Sequence, residues 1–325
     1  MTILDELAAR ARARVAEAKQ HMSFELLKER VAEANANAAR NTMYAARETA
    51  QAGTSGNVAC TSANAVTSAN ETCTANAACT ANAATTTHAA AFPFEQALRC
   101  DGLSFICECK RASPSKGLIA PHFPYLDIAQ AYEAAGANAI SVLTEPSAFL
   151  GDARYLQEIA SAVHIPCLRK DFIVDEYMIY EAKLLGAQAV LLICAILDTP
   201  TLTAFLRCCN ELGLSALVEA HNKQEISNAI AAGARIVGVN NRNLHDFSVS
   251  TNCAIELRKY VPSEVAFVAE SGIQSATDVL EAYNAGADAV LVGEAMMRAE
   301  NKAAELAKLR SKLPATATGG AHDLR

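Results

Sequence analysis

The amino-acid sequence predicts a single (β/α)8 barrel, an α/β fold, with an N-terminal helical extension and a low-complexity insertion. Five helix-like stretches each end in a glycine, and an apolar run begins three residues later. These glycines are Gly136, Gly186, Gly213, Gly233 and Gly286. Glycine readily adopts the left-handed conformation that ends a helix, and a short loop then leads into a buried strand. Further apolar runs at Leu103, Pro166 and Val265 raise the expected number of strands to eight.

The character of these runs favours a closed barrel over an open, doubly wound sheet. Each run is short and continuously apolar, as expected for parallel strands that are buried on both faces. Eight β/α units in about 210 residues fit the size of a barrel. An open sheet would normally carry a glycine-rich dinucleotide-binding turn after its first strand, whereas the segment RASPSKG follows the first run here, from Arg111 to Gly117.

The segments outside the barrel differ from it in composition. Residues 1–34 place apolar side chains at helical spacing among charges, which predicts a helical extension that packs on the barrel. Residues 35–91 are expected to form an insertion, rich in Ala, Thr and Asn, in which an Asn recurs every six residues. A period of this kind also occurs in parallel β-helices, but the scarcity of large aliphatic residues predicts disorder instead. The barrel is expected to span 92–313, followed by a flexible tail at 314–325.

Composition and charge exclude several kinds of partner. The 325 residues are 51% apolar and carry a net charge of −7, which argues against nucleic acid because its phosphates require a basic surface. The longest apolar run, Ala189 to Leu197, is too short to cross a bilayer, and the N-terminus lacks the apolar core of a signal peptide. The eleven cysteines are scattered, without the paired spacing of a metal site. Such usage is typical of a reducing cytosol, so we expect a cytoplasmic protein without a metal.

Polar residues at the ends of the predicted strands mark the expected active site, because barrel enzymes carry it at the carboxyl ends of their strands. One such residue could simply mark where a strand leaves the core. Six strand ends carry polar residues, and five of them place a charged or amide side chain directly after the apolar run, which is harder to explain in that way. These residues are Glu108, Lys110, Lys170, Glu219, Asn240, Arg242, Glu270, Ser271 and Glu294.

Glu108 and Lys110 are two residues apart, so they are expected to share one face of the first strand, away from Cys107 and Cys109. A carboxylate and an ammonium in the same partly dry space shift each other's pKa and permit acid and base catalysis near neutral pH. The alternative is a structural ion pair that plugs the barrel.

A phosphate site is expected after the seventh and eighth strands, where backbone N–H groups bind phosphate in many such barrels. Gly272 and Gly293 stand at these positions and allow a close approach of the backbone. The loop RASPSKG contributes the hydroxyl groups of Ser113 and Ser115. It could close over a substrate as a lid, or could be merely a long loop.

Seven segments resemble, in order and spacing, the motifs of the indole-3-glycerol phosphate synthase family. They are CECKRASPSKG, ISVLTEPSAFLG, PCLRKDFIVDEYMIYEAKLLGAQAVLL, LVEAHNKQE, GVNNRNL, VAESGI and AVLVGEAMM. The resemblance covers about residues 92–310 and extends to the N-terminal helix. It implies a cofactor-free carboxy-lyase of tryptophan biosynthesis. Its substrate would be 1-(2-carboxyphenylamino)-1-deoxyribulose 5-phosphate, and its products indole-3-glycerol phosphate, CO2 and water.

The resemblance also implies roles for individual catalytic residues. Lys170 is similar in position to the general acid of ring closure. Glu219 and Lys110 resemble the pair that assists dehydration, and Glu108 the carboxylate that orients or tunes the lysines. The order in which the two lysines act stays open. Asn240 and Ser271 complete the expected catalytic set.

The same resemblance assigns binding residues. Arg242, with Asn240, would position the hydroxyl and carboxylate groups of the substrate, with Glu270 nearby, and Phe172 and Leu291 would line the pocket for its aromatic ring. Phosphate would bind to Gly272, Gly293 and the backbone N–H of Glu294, assisted by Ser113 or Lys110. Where some family members have a serine, Glu294 would repel phosphate if its side chain pointed there.

Two other functions remain open from the sequence. One is another phosphate-binding barrel enzyme, such as a sugar-phosphate isomerase or a Schiff-base aldolase that uses Lys170 or Lys110. The other is an interaction module that binds partner proteins through the Asn/Thr-rich tract. We expect a small phosphorylated substrate as the partner, no membrane, and a single enzymatic activity in this chain. A monomer and a weak homodimer are both compatible with the sequence.

Overall fold

The computed structural model describes residues 2–54, 92–242 and 252–315, and in these ranges the predicted barrel is confirmed. Eight parallel strands close into a barrel in which each strand pairs with the next along the chain and the last pairs with the first. The strands are β1 Ser104–Cys109, β2 Ala139–Leu143, β3 Cys167–Lys170, β4 Ala189–Ile193, β5 Ser215–Ala220, β6 Ile236–Asn240, β7 Ala266–Glu270 and β8 Ala289–Val292. A short antiparallel pair, Ala112–Ser113 with Gly117–Leu118, lies in the loop after β1.

Helices precede the barrel and connect its strands. Three of them come first: α1 Ile3–His21, α2 Phe24–Thr54 and α3 Pro93–Leu98. The connecting helices are α4 Tyr125–Ala134, α5 Ala153–Ala162, α6 Glu176–Leu184, α7 Thr199–Glu211, α8 Lys223–Ala231, α9 Asn252–Leu257 with the 3-10 turn Arg258–Tyr260, and α10 Ala276–Asn284. After β8 follow α11 Glu294–Arg298 and α12 Lys302–Arg310. Among the described residues, no helix combines the length and the apolar character needed to cross a membrane.

The predicted glycine stops are present at the ends of the connecting helices. Gly136, Gly186, Gly213, Gly233 and Gly286 all have φ between 66° and 93°, in the left-handed region. Each glycine follows the last residue of a helix by two residues, and the next strand begins two or three residues later. The short connections bring each strand back to the barrel in the same direction.

The core has two layers, one inside the barrel and one between the strands and the helices. Ile106, Leu168 and Leu217 are fully buried in the inner layer. Cys107 and Val190 belong to the outer layer, as the alternation of side chains along a strand requires. The cysteines of β1 are therefore packing residues, and the opposite face of the strand is free to carry polar groups into the barrel.

Helix α3 closes the amino-terminal end of the barrel. Phe94 and Leu98 are buried in the inner layer. The hydroxyl of Ser104, at the start of β1, donates to the carbonyl of Ala97 at 2.8 Å, and the hydroxyl of Ser215, at the start of β5, accepts from the backbone N–H of Glu95 at 3.3 Å. The carboxyl end of the barrel is not covered by α3.

The N-terminal extension consists of two helices, and the second is longer than the predicted extension of residues 1–34. Helix α2 continues to Thr54, into the predicted insertion of 35–91. The reason is local: the sequence between residue 35 and Gly53 contains no Gly or Pro and is rich in Ala, which favours helix. The rest of the predicted insertion, residues 55–91, and residues 316–325 of the predicted tail lie outside the described residues.

Candidate active site

A cavity of about 280 Å³ opens at the carboxyl ends of the strands, where the sequence predicts the active site. Its lining includes every predicted site residue, from six of the eight strands and the loops that follow them. These residues are Glu108, Lys110, Ser113, Lys170, Phe172, Glu219, Asn240, Arg242, Glu270, Ser271, Gly272, Leu291, Gly293 and Glu294. Residues far apart in the sequence are thus brought together at one mouth.

Lys170 is held between two carboxylates at the centre of the cavity. Its Nζ lies 3.0 Å from Oε2 of Glu219 and 3.2 Å from Oε2 of Glu270. Burial alone would lower the pKa of Lys170, but the carboxylates of Glu219, Glu270 and Glu108 outweigh burial and raise it well above its ordinary value. Lys170 is therefore a protonated ammonium throughout the physiological pH range.

The two carboxylates beside Lys170 differ in their pKa values. Burial raises the pKa of Glu270 to about 7, and the charge of Glu219 acts in the same direction against the opposing effect of Lys170. For Glu219, burial also favours the neutral form, but the charges of Lys170 and His221 and a hydrogen bond with Asn240 together lower its pKa. The site thus contains one ionised carboxylate and one that titrates near neutral pH, as acid–base catalysis requires.

Glu108 and Lys110 form an ion pair at the end of β1, on the face predicted for them. Gly293 lies directly against this pair. A Cβ at Gly293 would be 2.5 Å from Oε1 of Glu108 and 2.8 Å from Nζ of Lys110, closer than real Cβ contacts. The pair therefore occupies the space that a larger residue after β8 would need.

Arg242 links the end of β6 to the loop after β1. Its Nη1 donates to the hydroxyl of Ser115 at 2.9 Å, and its backbone N–H donates to Oδ1 of Asn240 at 3.0 Å. Ser115 is not among the predicted site residues, although the sequence places its hydroxyl in the RASPSKG loop. The contact joins the two sides of the cavity mouth.

The turns after β7 and β8 contain the glycines and the positive φ values expected of a phosphate site. Ser271 and Gly272 both have positive φ, 63° and 80°. Gly293 immediately precedes helix α11, and Glu294 begins that helix. The carboxylate of Glu294 lies 3.5 Å from Nζ of Lys116 and 3.1 Å from Nε of Arg298, so nearby cations hold this side chain.

One wall of the cavity is apolar, and part of it is not predicted by the sequence. Phe172 and Leu291 line it as expected, and Phe149 joins them with its ring centroid 6.3 Å from that of Phe172. Ile3, Leu4 and Leu7 of α1 also line the cavity. The helical period of α1 shows that it has a buried face, but a period carries no information on which surface that face covers.

Arg14, which is not among the predicted site residues, attaches α1 to this wall. Its guanidinium donates to both carboxylate oxygens of Asp171, at 2.7 and 3.2 Å. Asp171 is fully buried and also accepts from the hydroxyl of Thr144 at 2.7 Å. Since Asp171 stands between Lys170 and Phe172, the position of α1 is tied directly to the site. Within the described ranges, no group of three or more His, Cys, Asp or Glu residues is arranged to hold a metal ion.

The fold and the site define a class: a (β/α)8-barrel protein with a buried lysine between carboxylates in a cavity at the carboxyl ends of its strands. The chain is similar to the solved structure of 3-hexulose-6-phosphate synthase, with a TM-score of 0.53 and 16% identity, over 64% of this chain and 99% of that one. At this identity the likeness supports the barrel fold alone.

A family model described as indole-3-glycerol phosphate synthase matches residues 57–309. The synthase of this name from Ruminiclostridium cellulolyticum is 58% identical over 219 residues, which are 67% of this chain and 84% of that protein. The one from Lachnoclostridium phytofermentans is 54% identical over 222 residues, 68% and 82% of the two chains. The chain belongs to the indole-3-glycerol phosphate synthase family. The predicted function, that of a decarboxylating lyase in tryptophan biosynthesis, is thereby confirmed.

Proposed function

We propose that this chain converts 1-(2-carboxyphenylamino)-1-deoxyribulose 5-phosphate into indole-3-glycerol phosphate, CO2 and water, and that the predicted site residues carry out the reaction without a cofactor. The observation that supports this proposal most is the protonated Lys170 between Glu219 and Glu270, beside an apolar wall. The reaction joins a flat aromatic ring to a ketose, so it needs both an acid and an apolar surface.

In this proposal Lys170 is the general acid of ring closure. It donates a proton to the ketone oxygen while the ring carbon that bears the carboxylate forms a bond to the ketone carbon. The C–CO2 bond then breaks, and its electron pair restores the aromatic ring. The raised pKa of Lys170 keeps the ammonium protonated until the ketone oxygen develops negative charge.

Dehydration follows in the same site. Glu219, ionised because its pKa is lowered, takes a proton from the carbon next to the ring nitrogen. Lys110 gives a proton to the departing hydroxyl, which leaves as water. Glu108, paired with Lys110, orients that ammonium. The two lysines donate two protons and Glu219 accepts one, so each turnover takes up one proton from solvent, as the loss of CO2 from a carboxylate requires.

The remaining predicted residues are proposed to bind the substrate. Phe172 and Leu291 contact its aromatic ring, and Arg242 and Asn240 position its carboxylate and hydroxyl groups. Glu270 and Ser271 lie beside them.

For the phosphate we propose the backbone N–H groups of Gly272, Gly293 and Glu294, with Ser113 or Lys110 as an additional donor. The two positive-φ residues after β7 and the ammonium of Lys110 next to Gly293 support this assignment. The carboxylate of Glu294 is engaged by Lys116 and Arg298, which leaves its backbone for the anion.

A Schiff-base aldolase is disfavoured by the charges around Lys170. Imine formation needs a neutral amine, and the carboxylates raise the pKa of Lys170 and keep it protonated. We also propose that the enzyme is cytoplasmic and binds no nucleic acid. The free thiols of all eight described cysteines and the net charge of −7 support these two statements.

The test is continuous indole fluorescence of the purified protein mixed with the carboxyphenylamino-deoxyribulose phosphate. Lys170→Ala is compared with Lys308→Ala, which removes an exposed lysine of α12. We expect emission from the wild type and from Lys308→Ala, and a loss of at least about 100-fold in Lys170→Ala, the size of a lost general acid. Unchanged emission in Lys170→Ala would transfer the acid role to Lys110. No emission from folded wild-type protein would refute the proposed reaction.

A further inference from the structure

His221 lies behind the cavity and contacts one of the groups that line it. It follows Glu219 by two residues at the end of β5, and it is not among the residues that line the cavity. Its Nε2 is 3.4 Å from Oε1 of Glu219, and its Nδ1 is 3.3 Å from Oε2 of Glu225 on α8. The side chain is 18% exposed. A largely buried imidazole thus bridges the site and the first turn of a helix.

The first turn of α8 holds Glu225 firmly. Besides His221 Nδ1, its carboxylate accepts from the backbone N–H of His221 at 2.8 Å and from Nδ2 of Asn222 at 2.7 Å. Asn222 in turn caps α8, because its Oδ1 accepts from the backbone N–H of Glu225 at 2.9 Å. Glu225 is therefore a fixed support for the imidazole.

The two oxygens of Glu219 have separate partners. Oε2 faces Lys170 at 3.0 Å, on the cavity side, and Oε1 faces His221 on the other. Nδ1 of His221 is hydrogen-bonded to Glu225, whereas Nε2 approaches Oε1 of Glu219 as an ion-pair contact at 3.4 Å without hydrogen-bond geometry. Burial disfavours the protonated ring, but Glu225 and Glu219 outweigh burial and raise the pKa of His221.

Several ionisable groups surround this imidazole. Glu219 belongs to β5, Glu225 to α8 and Glu270 to β7, and all three favour the imidazolium. Cys194, which follows β4, donates to the backbone carbonyl of Glu225 at 3.6 Å and belongs to the same cluster. The nearest charges are thus negative, and an imidazolium is the form that matches them.

We propose that His221 is a positioning residue, which holds Oε1 of Glu219 so that Oε2 stays directed at Lys170 and the substrate. The inference rests on the role proposed above for Glu219 as the base of dehydration. A carboxylate anchored at one oxygen loses rotational freedom, and small displacements of a catalytic group cost large factors in rate. Without the imidazolium, Oε1 would lose the positive charge that faces it, and Glu219 would turn or take up a proton.

Two substitutions separate positioning from a purely structural role, because each replaces one side of the ring. The amide nitrogen of His221→Gln reaches the place of Nε2 and still presents an N–H group to Glu219. The amide nitrogen of His221→Asn reaches the place of Nδ1 and contacts only Glu225. We expect His221→Gln to keep kcat within about threefold, and His221→Asn to lose about 10-fold in kcat with little change in KM, as for one lost polar contact with a charged group.

The pH profile of kcat supplies a second readout. Both variants lack the imidazolium charge, so the pKa of Glu219 rises and the acidic limb moves to higher pH in both. The plateau value of kcat falls only in His221→Asn. Equal losses in the two variants, accompanied by equal losses in Tm, would overturn the proposal and assign His221 to packing alone.

Glu219→Gln distinguishes the failure of this inference from the failure of the proposed function. If Glu219→Gln turned over like the wild type, the role of Glu219 as base would fail, and the inference with it. If Glu219→Gln were inactive while His221→Asn kept the wild-type kcat and acidic limb, only the positioning role would be overturned. Inactivity of Glu219→Gln together with the predicted difference between the two His221 variants would support both.

Discussion

Replacement of Glu270 by Gln should make the protein's stability less dependent on pH, by an amount that follows from the structure. Burial raises the pKa of Glu270 from its ordinary 4.5 to about 7 in the folded protein. A raised pKa means that the folded state binds the proton more tightly than the unfolded state does. The stability contributed by this group is therefore complete below about pH 4.5 and is lost as the pH rises through about 7.

The magnitude follows from the size of the shift. Each pKa unit corresponds to about 1.4 kcal/mol, so ionising Glu270 in the folded state costs about 3 kcal/mol of unfolding free energy. Gln has the shape of the protonated carboxyl and does not titrate. Between pH 5 and pH 8 the wild type should thus lose about 3 kcal/mol relative to Glu270→Gln.

The assay is urea denaturation followed by far-UV circular dichroism at intervals between pH 5 and pH 8. Glu211→Gln is the matched control, because Glu211 is 66% exposed on α7 and its replacement should leave the pH dependence of the wild type unchanged. A constant difference between Glu270→Gln and the wild type across this range would refute the claim that Glu270 is held near neutrality by burial.

Two further predictions concern the packing around the site. Gly238→Ala would place a Cβ 2.0 Å from Oε1 of Glu270, so we expect this carboxylate to move away from Lys170. The expected results are a loss of at least about 10-fold in kcat/KM and a cost of about 1–3 kcal/mol in stability. Wild-type kinetics in this variant would contradict the close contact between Gly238 and Glu270. Arg14→Gln should cost about 1–2 kcal/mol, measured by denaturation, and raise KM, because buried Asp171 loses its bidentate partner on α1 while it keeps the ion pair with Arg169 at 3.3 Å. Arg10→Gln on the same helix, which breaks only an exposed pair, is the control, and equal effects of the two would refute this role of Arg14.

The sequence predicts most of the barrel because its signals are local. Five glycines after helices, the apolar runs that follow them and three further apolar runs report on neighbouring residues only, and together they suffice for the eight strands. Lys170, Glu219 and Glu270 could be assigned to one mouth in the same way, because parallel strands place all their carboxyl ends at one side.

Contacts between distant segments could not be predicted from such signals. The contact of Arg14 with Asp171 joins residues 157 positions apart, and neither residue has an unusual neighbourhood in the sequence. His221 is equally inconspicuous, since its position two residues after Glu219 is compatible with either side of the strand end. Helix α2 extends past residue 34 because helix propensity persists there after the amphipathic period has ended.

The central claim is that Lys170 acts in ring closure and Glu219 in dehydration. Rapid-quench analysis of Glu219→Gln tests this claim most directly. With substrate labelled with 13C in its carboxylate, ring closure and decarboxylation release labelled CO2, whereas indole fluorescence appears only after dehydration. If Lys170 closes the ring and Glu219 acts in dehydration, Glu219→Gln should release about one CO2 per active site without indole fluorescence. Release of CO2 and formation of indole in equal amounts and at the wild-type rate, or the absence of both, would contradict this division.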